Sequence, residues 1–270
     1  MSLTAAVLLG AIQGLTEFLP VSSSAHLILA RAFFGWELRP EFALAFDVAL
    51  HIGTLAAIVT YFHAEVLGMV RAVPGVFSPQ PDPSAVLVRL ITIGTIPVVV
   101  VVLLFNDVIE QVLRTPAVAA GALGVGAVLM LVAERVGPHT RTENTIGWRE
   151  AVLIGCAQAA ALIPGMSRSG STITMGLFLG MRRDAAARFT FLLAIPAMLA
   201  AAAKETLGLV GMPLPPGSLS LILAGVVVSA LVGYLTIKYF LRFLAGNKMD
   251  LFAAYRLMLA VFTLVWLLRH

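Results

Sequence analysis

The sequence predicts an all-α polytopic membrane protein made of two inverted halves, each with a re-entrant helical hairpin and three transmembrane helices. Three observations support this fold class. Hydrophobic residues make up 60% of the 270 residues and charged residues only 12%, against about 25% charged in soluble domains. Apolar stretches long enough to cross a hydrocarbon core of about 30 Å recur along the chain. Two further apolar segments are interrupted in the middle and resemble each other.

Six segments are predicted to span the membrane as helices, because helices satisfy their own backbone polar groups in lipid. Each has the length and apolarity of a full span. They cover residues 42–63, 86–105, 116–134, 186–204, 219–241 and 250–268. The segment 71–85 is too rich in proline for a helix, and we predict a surface loop there on the cytoplasmic side.

Two other segments, residues 3–35 and 150–181, are apolar at both ends but broken in the middle. The first break is PVSSSAH (20–26) and the second break is PGMSRSG (164–170). Their Pro, Gly and Ser residues interrupt helices. Each arm has about 12 to 15 residues, which is too short to cross at a rise of 1.5 Å per residue but suits one arm of a re-entrant hairpin.

The two broken segments also look like copies of one another. AVLLGAIQG (6–14) aligns with AVLIGCAQA (151–159), and after one gap the first break aligns with the second, which places Ser23 opposite Ser167. A duplication with broken helices is typical of inverted-repeat membrane proteins.

The duplication divides one membrane domain, residues 1–270, into halves 1–140 and 141–270. Each half holds one hairpin and three spans, so the second half begins on the opposite side of the membrane from the first. We therefore predict inverted repeats whose two breaks meet near the bilayer midplane.

The distribution of basic residues predicts the orientation. Five Lys and Arg residues fall on the N-terminal side of the predicted spans and twelve on the other side, with Arg256 counted among the twelve. The positive-inside rule makes the richer side cytoplasmic, so both termini are expected outside. The same rule accounts for the formal net charge of +4, and we expect no nucleic-acid partner.

The first break and the helix before it carry polar residues that suit a cation or proton site. Gln13 and Glu17 lie four residues apart on one helix face. Ser23 and His26 follow at the start of the second arm. Asp47 and His51 share a helix face further on, where they are interpreted either as a hydrogen-bonded interfacial pair or as a support for the site.

The second break adds a positive charge to a pair of predicted helix N-termini. Serine is a preferred N-cap, and the N-terminus of a helix carries a partial positive charge that attracts anions. The guanidinium of Arg168 matches a phosphate in a bidentate manner. We predict an anion site here. The hydroxyl groups in and after the two breaks are expected to bind the anion as well: Ser22, Ser24, Ser167, Ser169, Ser171 and Thr172.

The charged residues of this site leave two interpretations open. Burying Arg168 at membrane depth costs about 2.5 to 3.5 kcal/mol, and either a Glu17 partner or a phosphate ligand could offset it. An ion pair that simply joins the two halves is the structural interpretation. The functional interpretation is phosphoryl transfer, with Ser23 as nucleophile and His26 or Glu17 taking its proton. Attack by water that Glu17 activates is the competing route.

Two motifs resemble those of a known family. QGLTEFLPVSSSAH (13–26) and PGMSRSGST (164–172) look like the two signatures of the bacterial undecaprenyl-diphosphate phosphatases, also called bacitracin resistance proteins. The resemblance implies hydrolysis of the C55 lipid carrier's diphosphate, which recycles the carrier for peptidoglycan synthesis and confers bacitracin resistance. It places the enzyme in the bacterial cytoplasmic (inner) membrane, with a site reached from the external face.

The resemblance also implies roles for individual residues. The family's acidic pair falls on Gln13 and Glu17 as ligands of a divalent cation, Mg²⁺ or Ca²⁺. The catalytic residues fall on Glu17, Ser23, His26 and Arg168. Many members have Glu where this chain has Gln13, and glutamine adds a carbonyl ligand without a charge.

The expected partners are a polyprenyl diphosphate lipid and the surrounding membrane lipids, and a homodimer stays open. A polyprenyl-phosphate transporter or flippase is the alternative function, because inverted repeats with broken helices are also transporter architecture.

Overall fold

The computed structural model describes residues 1–36, 40–209, 215 and 217–269. Within these ranges the protein is helical, without strands, and its one isolated bridge joins Arg141 and Met181. The described residues form eleven α-helices: α1 (Leu3–Thr16), α2 (Ser23–Phe34), α3 (Pro40–Tyr61), α4 (His63–Ala72), α5 (Pro83–Gln111), α6 (Pro116–Val136), α7 (Trp148–Ala160), α8 (Arg168–Phe178), α9 (Arg183–Leu209), α10 (Ser218–Leu244) and α11 (Asp250–Leu267).

Six helices in the described part of the chain are long and apolar enough to cross a membrane. They coincide within a few residues with the six predicted spans, so the prediction of an all-α, multi-pass membrane protein is confirmed. The candidate spans are Phe42–Tyr61, Pro83–Phe105, Pro116–Val136, Arg183–Gly208, Ser218–Leu244 and Asp250–Leu267.

Both interrupted segments fold as two short helices around the expected breaks. The first pair is α1 and α2, and the second pair is α7 and α8. Residues 17–21 are turn between α1 and α2, and residues 161–166 consist of turn and bend between α7 and α8. The helix–break–helix prediction is therefore confirmed for both segments.

The predicted loop 71–85 is wrong at both ends. Helix α4 continues to Ala72, and α5 already begins at Pro83, where the side chain of Asp82 accepts a hydrogen bond of 2.9 Å from the amide of Ala85. Proline is well tolerated in the first turn of a helix because no backbone N–H is needed there. A prediction from proline content alone therefore overestimates the length of the loop, because Pro83 belongs to the helix.

Glycines let the short helices pack closely against long ones. On α1, Gly10 lies against Gly225 of α10 so closely that an added Cβ would meet backbone atoms. On α7, Gly155 lies against Gly94 of α5 in the same way. Small residues at such crossings allow the backbones of membrane helices to approach. The first short helix of each interrupted segment, α1 or α7, thus packs against a long helix from the other half of the sequence.

Candidate active site

The two breaks end in N-caps with the same unusual geometry. Ser22 caps α2 with φ 74° and ψ 99°, and Ser167 caps α8 with φ 68° and ψ 117°. The Ser22 hydroxyl accepts from the amide of Ala25 at 3.4 Å, and the Ser167 hydroxyl accepts from the amide of Gly170 at 3.1 Å. Ser22, not Ser23, is therefore the counterpart of Ser167, and the gap placed in the sequence alignment is wrong at this point.

The correction places Ser23 opposite Arg168, as the first helical residues of α2 and α8. Their side chains meet on one carboxylate. The Ser23 hydroxyl donates to Glu17 Oε2 at 2.6 Å, and Arg168 Nη2 donates to Glu17 Oε1. Glu17 is almost fully buried, with 4% of its side chain exposed. Two helix N-termini, which both carry partial positive charge, therefore converge on Glu17.

The ion pair between Glu17 and Arg168, one of the two interpretations left open by the sequence, is thus present. The Arg168 side chain keeps 24% of its surface exposed, so it is not completely enclosed. A phosphate that binds Arg168 competes with Glu17 for the same donors. The ion pair and a phosphate bound to Arg168 are therefore two alternative states of one site, and the structure shows the first.

The other predicted hydroxyl groups lie around the caps and bond mostly to the protein itself. Ser24 is exposed and lies 3.2 Å from the Ser22 hydroxyl. Ser169 lies 3.3 Å from the Ser167 hydroxyl and donates to the carbonyl of Leu19 in the first break at 3.0 Å.

Ser171 and Thr172 lie one turn into α8. The hydroxyl of Ser171 donates to the carbonyl of Met166 at 3.3 Å, and that of Thr172 donates to the carbonyl of Arg168 at 2.7 Å. Both hydroxyls support the local backbone, and their part in substrate binding stays a prediction.

His26 lies near the cap of α2, but its ring does not face Ser23. Its Nδ1 lies 2.7 Å from the carbonyl oxygen of Ser22, and its Nε2 lies 2.7 Å from the hydroxyl of Tyr255 on α11. Glu17 is therefore the group that accepts from the Ser23 hydroxyl in this geometry. The assignment of His26 as a proton shuttle stays a prediction.

Asp47 and His51 do not pair through their side chains. The carboxylate of Asp47 binds the guanidinium of Arg31 on α2, with Nη1 to Oδ2 at 2.9 Å. His51 Nδ1 instead lies 2.8 Å from the backbone carbonyl of Asp47, and His51 Nε2 lies 3.8 Å from Glu17 Oε2. The two residues are thus hydrogen-bonded to each other only through the backbone of Asp47, and His51 also borders the site.

Arg256 on α11 does not lie among the cytoplasmic charges, where the distribution of basic residues predicts it. It has no exposed surface and reaches both breaks. Its recorded hydrogen bonds in the described structure go to backbone carbonyls: Pro20 at 3.3 Å, Ala122 at 3.3 Å, Leu123 at 3.2 Å, Gly165 at 3.1 Å and Met166 at 3.0 Å. An Arg inside an apolar span was the available signal, because such a residue is expensive and by default functional.

The residues predicted to bind a cation supply few ligands. Both oxygens of Glu17 already accept hydrogen bonds, and Gln13 Nε2 donates to Glu17 Oε2 at 3.0 Å. Gln13 Oε1 is buried and has no hydrogen-bond partner. No group of three or more His, Cys, Asp and Glu residues suited to a metal occurs in the described ranges. The amide oxygen of Gln13 is thus the one atom of this pair that is unengaged.

Fold and site together define a class: a multi-pass helical membrane protein in which two helix N-termini bring a serine and an arginine onto one buried glutamate. The family described as "Bacitracin resistance protein BacA" matches residues 6–262. The chain belongs to this family.

Curated relatives match the chain over almost its whole length. It is 42% identical over 271 residues to a protein named undecaprenyl-diphosphatase from Rubrobacter xylanophilus, with 99% of each chain covered. It is 46% identical to undecaprenyl-diphosphatase 2 from Stutzerimonas stutzeri and 45% identical to an undecaprenyl-diphosphatase from Thioalkalivibrio sulfidiphilus, with 98% of each chain covered in both comparisons.

Proposed function

We propose that this protein is an undecaprenyl-diphosphatase, which hydrolyses undecaprenyl diphosphate to undecaprenyl phosphate and inorganic phosphate. It would thereby recycle the lipid carrier for peptidoglycan synthesis and confer bacitracin resistance. The names of its relatives support this proposal. The observation that carries it is the meeting of Ser23 and Arg168 on Glu17, because these are the nucleophile, charge clamp and base of a phosphoryl transfer.

Each residue then has a defined task. Arg168 and the two helix N-termini bind the terminal phosphate, whose charge they complement. Glu17 Oε2, 2.6 Å from the Ser23 hydroxyl, takes the serine proton as Ser23 Oγ attacks the terminal phosphorus. The bond to the bridging oxygen breaks, and undecaprenyl phosphate leaves with the proton from Glu17. Water then attacks the phosphoserine and gives a proton to Glu17. The bond between phosphorus and Ser23 Oγ breaks, inorganic phosphate leaves, and Glu17 returns the proton to Ser23 Oγ.

A ³²P trapping experiment tests this assignment. With substrate labelled in the terminal phosphate, rapid acid quenching should give labelled protein for the wild type and none for Ser23→Ala. Ser220→Ala, on the exposed face of α10, is the matched control and should trap label normally. Hydrolysis without labelled protein, with full activity in Ser23→Ala, would favour direct attack by water.

Arg168→Ala and Glu17→Ala test the function itself. Both should abolish phosphate release in detergent, since each removes a charge from the buried pair, whereas Arg182→Ala removes an exposed arginine of the surface pair with Asp184 and should stay active. Movement of a polyprenyl phosphate across reconstituted vesicles without phosphate release would favour the transporter or flippase.

We also propose that a divalent cation, Mg²⁺ or Ca²⁺, takes part. When bound, it neutralises charge on the diphosphate. Gln13 Oε1 and, once Arg168 has turned to the phosphate, Glu17 would hold it; hard cations prefer such oxygens. With only one carboxylate in this pair, the other ligands would come from the diphosphate and water. We expect EDTA to abolish activity and either cation to restore it.

The inverted repeat with two re-entrant hairpins is the architecture that we propose for this function. The packing between the halves supports this architecture, since α1 of the first half packs on α10 of the second, and α7 of the second half packs on α5 of the first. The matched caps Ser22 and Ser167 support it as well.

We place the protein in the bacterial inner membrane, where the site would be reached from the external face. The proposed site residues all belong to one chain, so a homodimer would not be needed to complete it.

A further inference from the structure

Tyr255 on α11 contacts the site although the sequence motifs do not include it. Its hydroxyl lies 2.7 Å from His26 Nε2, and the planes of the two rings are 9° apart. Tyr255 keeps 40% of its surface exposed, so packing in the core does not explain why a tyrosine stands at this position.

The two bonds of the His26 ring fix its tautomer. The partner of Nδ1 is the carbonyl oxygen of Ser22, which can only accept, so Nδ1 carries the proton. In a neutral imidazole the other nitrogen is then an acceptor. Tyr255 therefore donates its hydroxyl proton to Nε2, and the ring is held at both ends.

The carbonyl at the other end of His26 belongs to a strained residue. Ser22 adopts φ 74°, a conformation that costs a non-glycine residue free energy and persists only when its surroundings hold it. Its carbonyl accepts from both the amide of His26 at 3.2 Å and the ring Nδ1 at 2.7 Å. Ser23, the next residue, points at Glu17 from this cap.

Tyr255 is itself well anchored. The next residue, Arg256, is buried and bound to carbonyls of α6 and of both breaks. The position of α11 relative to the breaks is therefore fixed where Tyr255 meets His26.

We propose, on the basis of the proposed function, that Tyr255 is a positioning residue. It acts through His26 to hold the Ser22 cap, and the cap in turn sets the direction of the Ser23 hydroxyl. The substrate charge is bound elsewhere, by Arg168. Loss of the Tyr255 hydroxyl should therefore lower kcat and leave KM nearly unchanged.

The test is a double-mutant cycle on the full-length protein in detergent, with a polyprenyl diphosphate and Mg²⁺. A net hydrogen bond is worth about a three- to tenfold change in rate, so Tyr255→Phe should lower kcat about three- to tenfold with KM within about twofold. In the His26→Ala background the same substitution should change nothing, because the hydroxyl then has no partner. Tyr239→Phe, at an exposed tyrosine of α10, should match the wild type.

A second readout does not depend on turnover. In protein labelled with ¹⁵N-histidine, the His26 signals, identified by their absence from His26→Ala, should show a protonated Nδ1 and an unprotonated Nε2 in the wild type. In Tyr255→Phe the proton should stay on Nδ1, because the Ser22 carbonyl still accepts from it, while the Nε2 signal should shift because its hydrogen bond to the tyrosine hydroxyl is lost.

Full kcat in Tyr255→Phe, or an equal loss with and without His26, would overturn the proposal. An Nε2 signal that is the same in Tyr255→Phe and in the wild type would do the same. If the wild type releases no phosphate, the proposed function fails, while the ¹⁵N experiment still decides whether Tyr255 fixes His26.

Discussion

At the scale of single residues, the site depends on an arginine that has no recorded carboxylate partner in the described structure. Arg256 donates to carbonyls in α6 and in both breaks, and Gly126 and Gly170 leave room for its guanidinium, since a Cβ at either position would collide with it. Carbonyl groups freed at the ends of interrupted helices need donors. Arg256 therefore satisfies the backbone at the point where the breaks expose it.

Replacing Arg256 by lysine tests this role. Lysine keeps the charge but has three donors in place of the five N–H groups of arginine, so several buried carbonyls lose their partner at about 1 to 3 kcal/mol each. We expect Arg256→Lys to lower the free energy of unfolding in detergent by about 2 to 4 kcal/mol and to lower activity as well. Arg242→Lys, at an exposed position of α10, should leave both unchanged, and equal stability of the two variants would contradict this role.

The strained caps give a prediction with an unusual order of substitutions. At Ser167 both alanine and glycine remove the hydroxyl that accepts from Gly170, but only glycine adopts φ 68° without strain. Ser167→Ala should therefore unfold more easily than Ser167→Gly, by about 1 kcal/mol. Chemical denaturation measures the difference. At the helical control Ser220 the order should reverse, because glycine is less favourable than alanine in a helix, and the same order at both sites would refute the strain.

At the scale of helices, close glycine contacts decide how the short helices pack. Gly155→Ala would place a Cβ against the backbone of Gly94 and force α7 away from α5. We expect a loss of at least about 1 to 3 kcal/mol in stability and reduced activity, since α7 leads into the second break. Thermal unfolding and phosphate release are the measurements.

The matched control for this contact is Gly121→Ala on α6. Nothing lies within 4 Å of a Cβ added there, and alanine is the better helix former by about 0.5 to 1 kcal/mol. This variant should be as stable as the wild type or slightly more stable. If Gly155→Ala behaves in the same way, the glycine contact does not determine the packing.

The sequence predicts elements better than it predicts contacts between them. The six spans and the two breaks follow from apolar length and from Pro, Gly and Ser, which act locally. The pairing of Ser23 and Arg168 on Glu17 was within reach because both breaks were recognised as related. Tyr255 was not, since its role depends on how α11 packs against α2, and a tyrosine in an apolar span has no local signal. Arg256 does have such a signal, an arginine inside an apolar span, but the positive-inside rule treats it as one more cytoplasmic charge.

At the scale of the whole molecule, the orientation in the membrane remains a prediction, and single cysteines can test it. In a Cys156→Ser background, which removes the exposed native thiol, cysteines at Ser2 and Arg269 should react with an impermeant maleimide on intact cells. A cysteine at Gln80, between α4 and α5, should react only after permeabilisation. The reverse pattern would place both termini in the cytoplasm.

One group of contacts brings several helix ends together on one side of the molecule. Arg183 binds the buried carboxylate of Glu134, whose Oε2 also accepts from the amide of Met249 at 3.3 Å. The ends of α6, α9 and α11 therefore meet at one place. Because Arg256 is buried at the breaks instead, eleven rather than twelve of the counted basic residues bear on the orientation, and the majority is unchanged.

The paired serine caps carry a consequence for how the two breaks can vary. One backbone motif occurs twice with similar dihedral angles, yet its first helical residue is Ser23 in one break and Arg168 in the other. Under the proposed function, the first break supplies the reactive oxygen and the second the counter-charge. Neither break could then change alone without loss of activity, because each supplies what the other lacks.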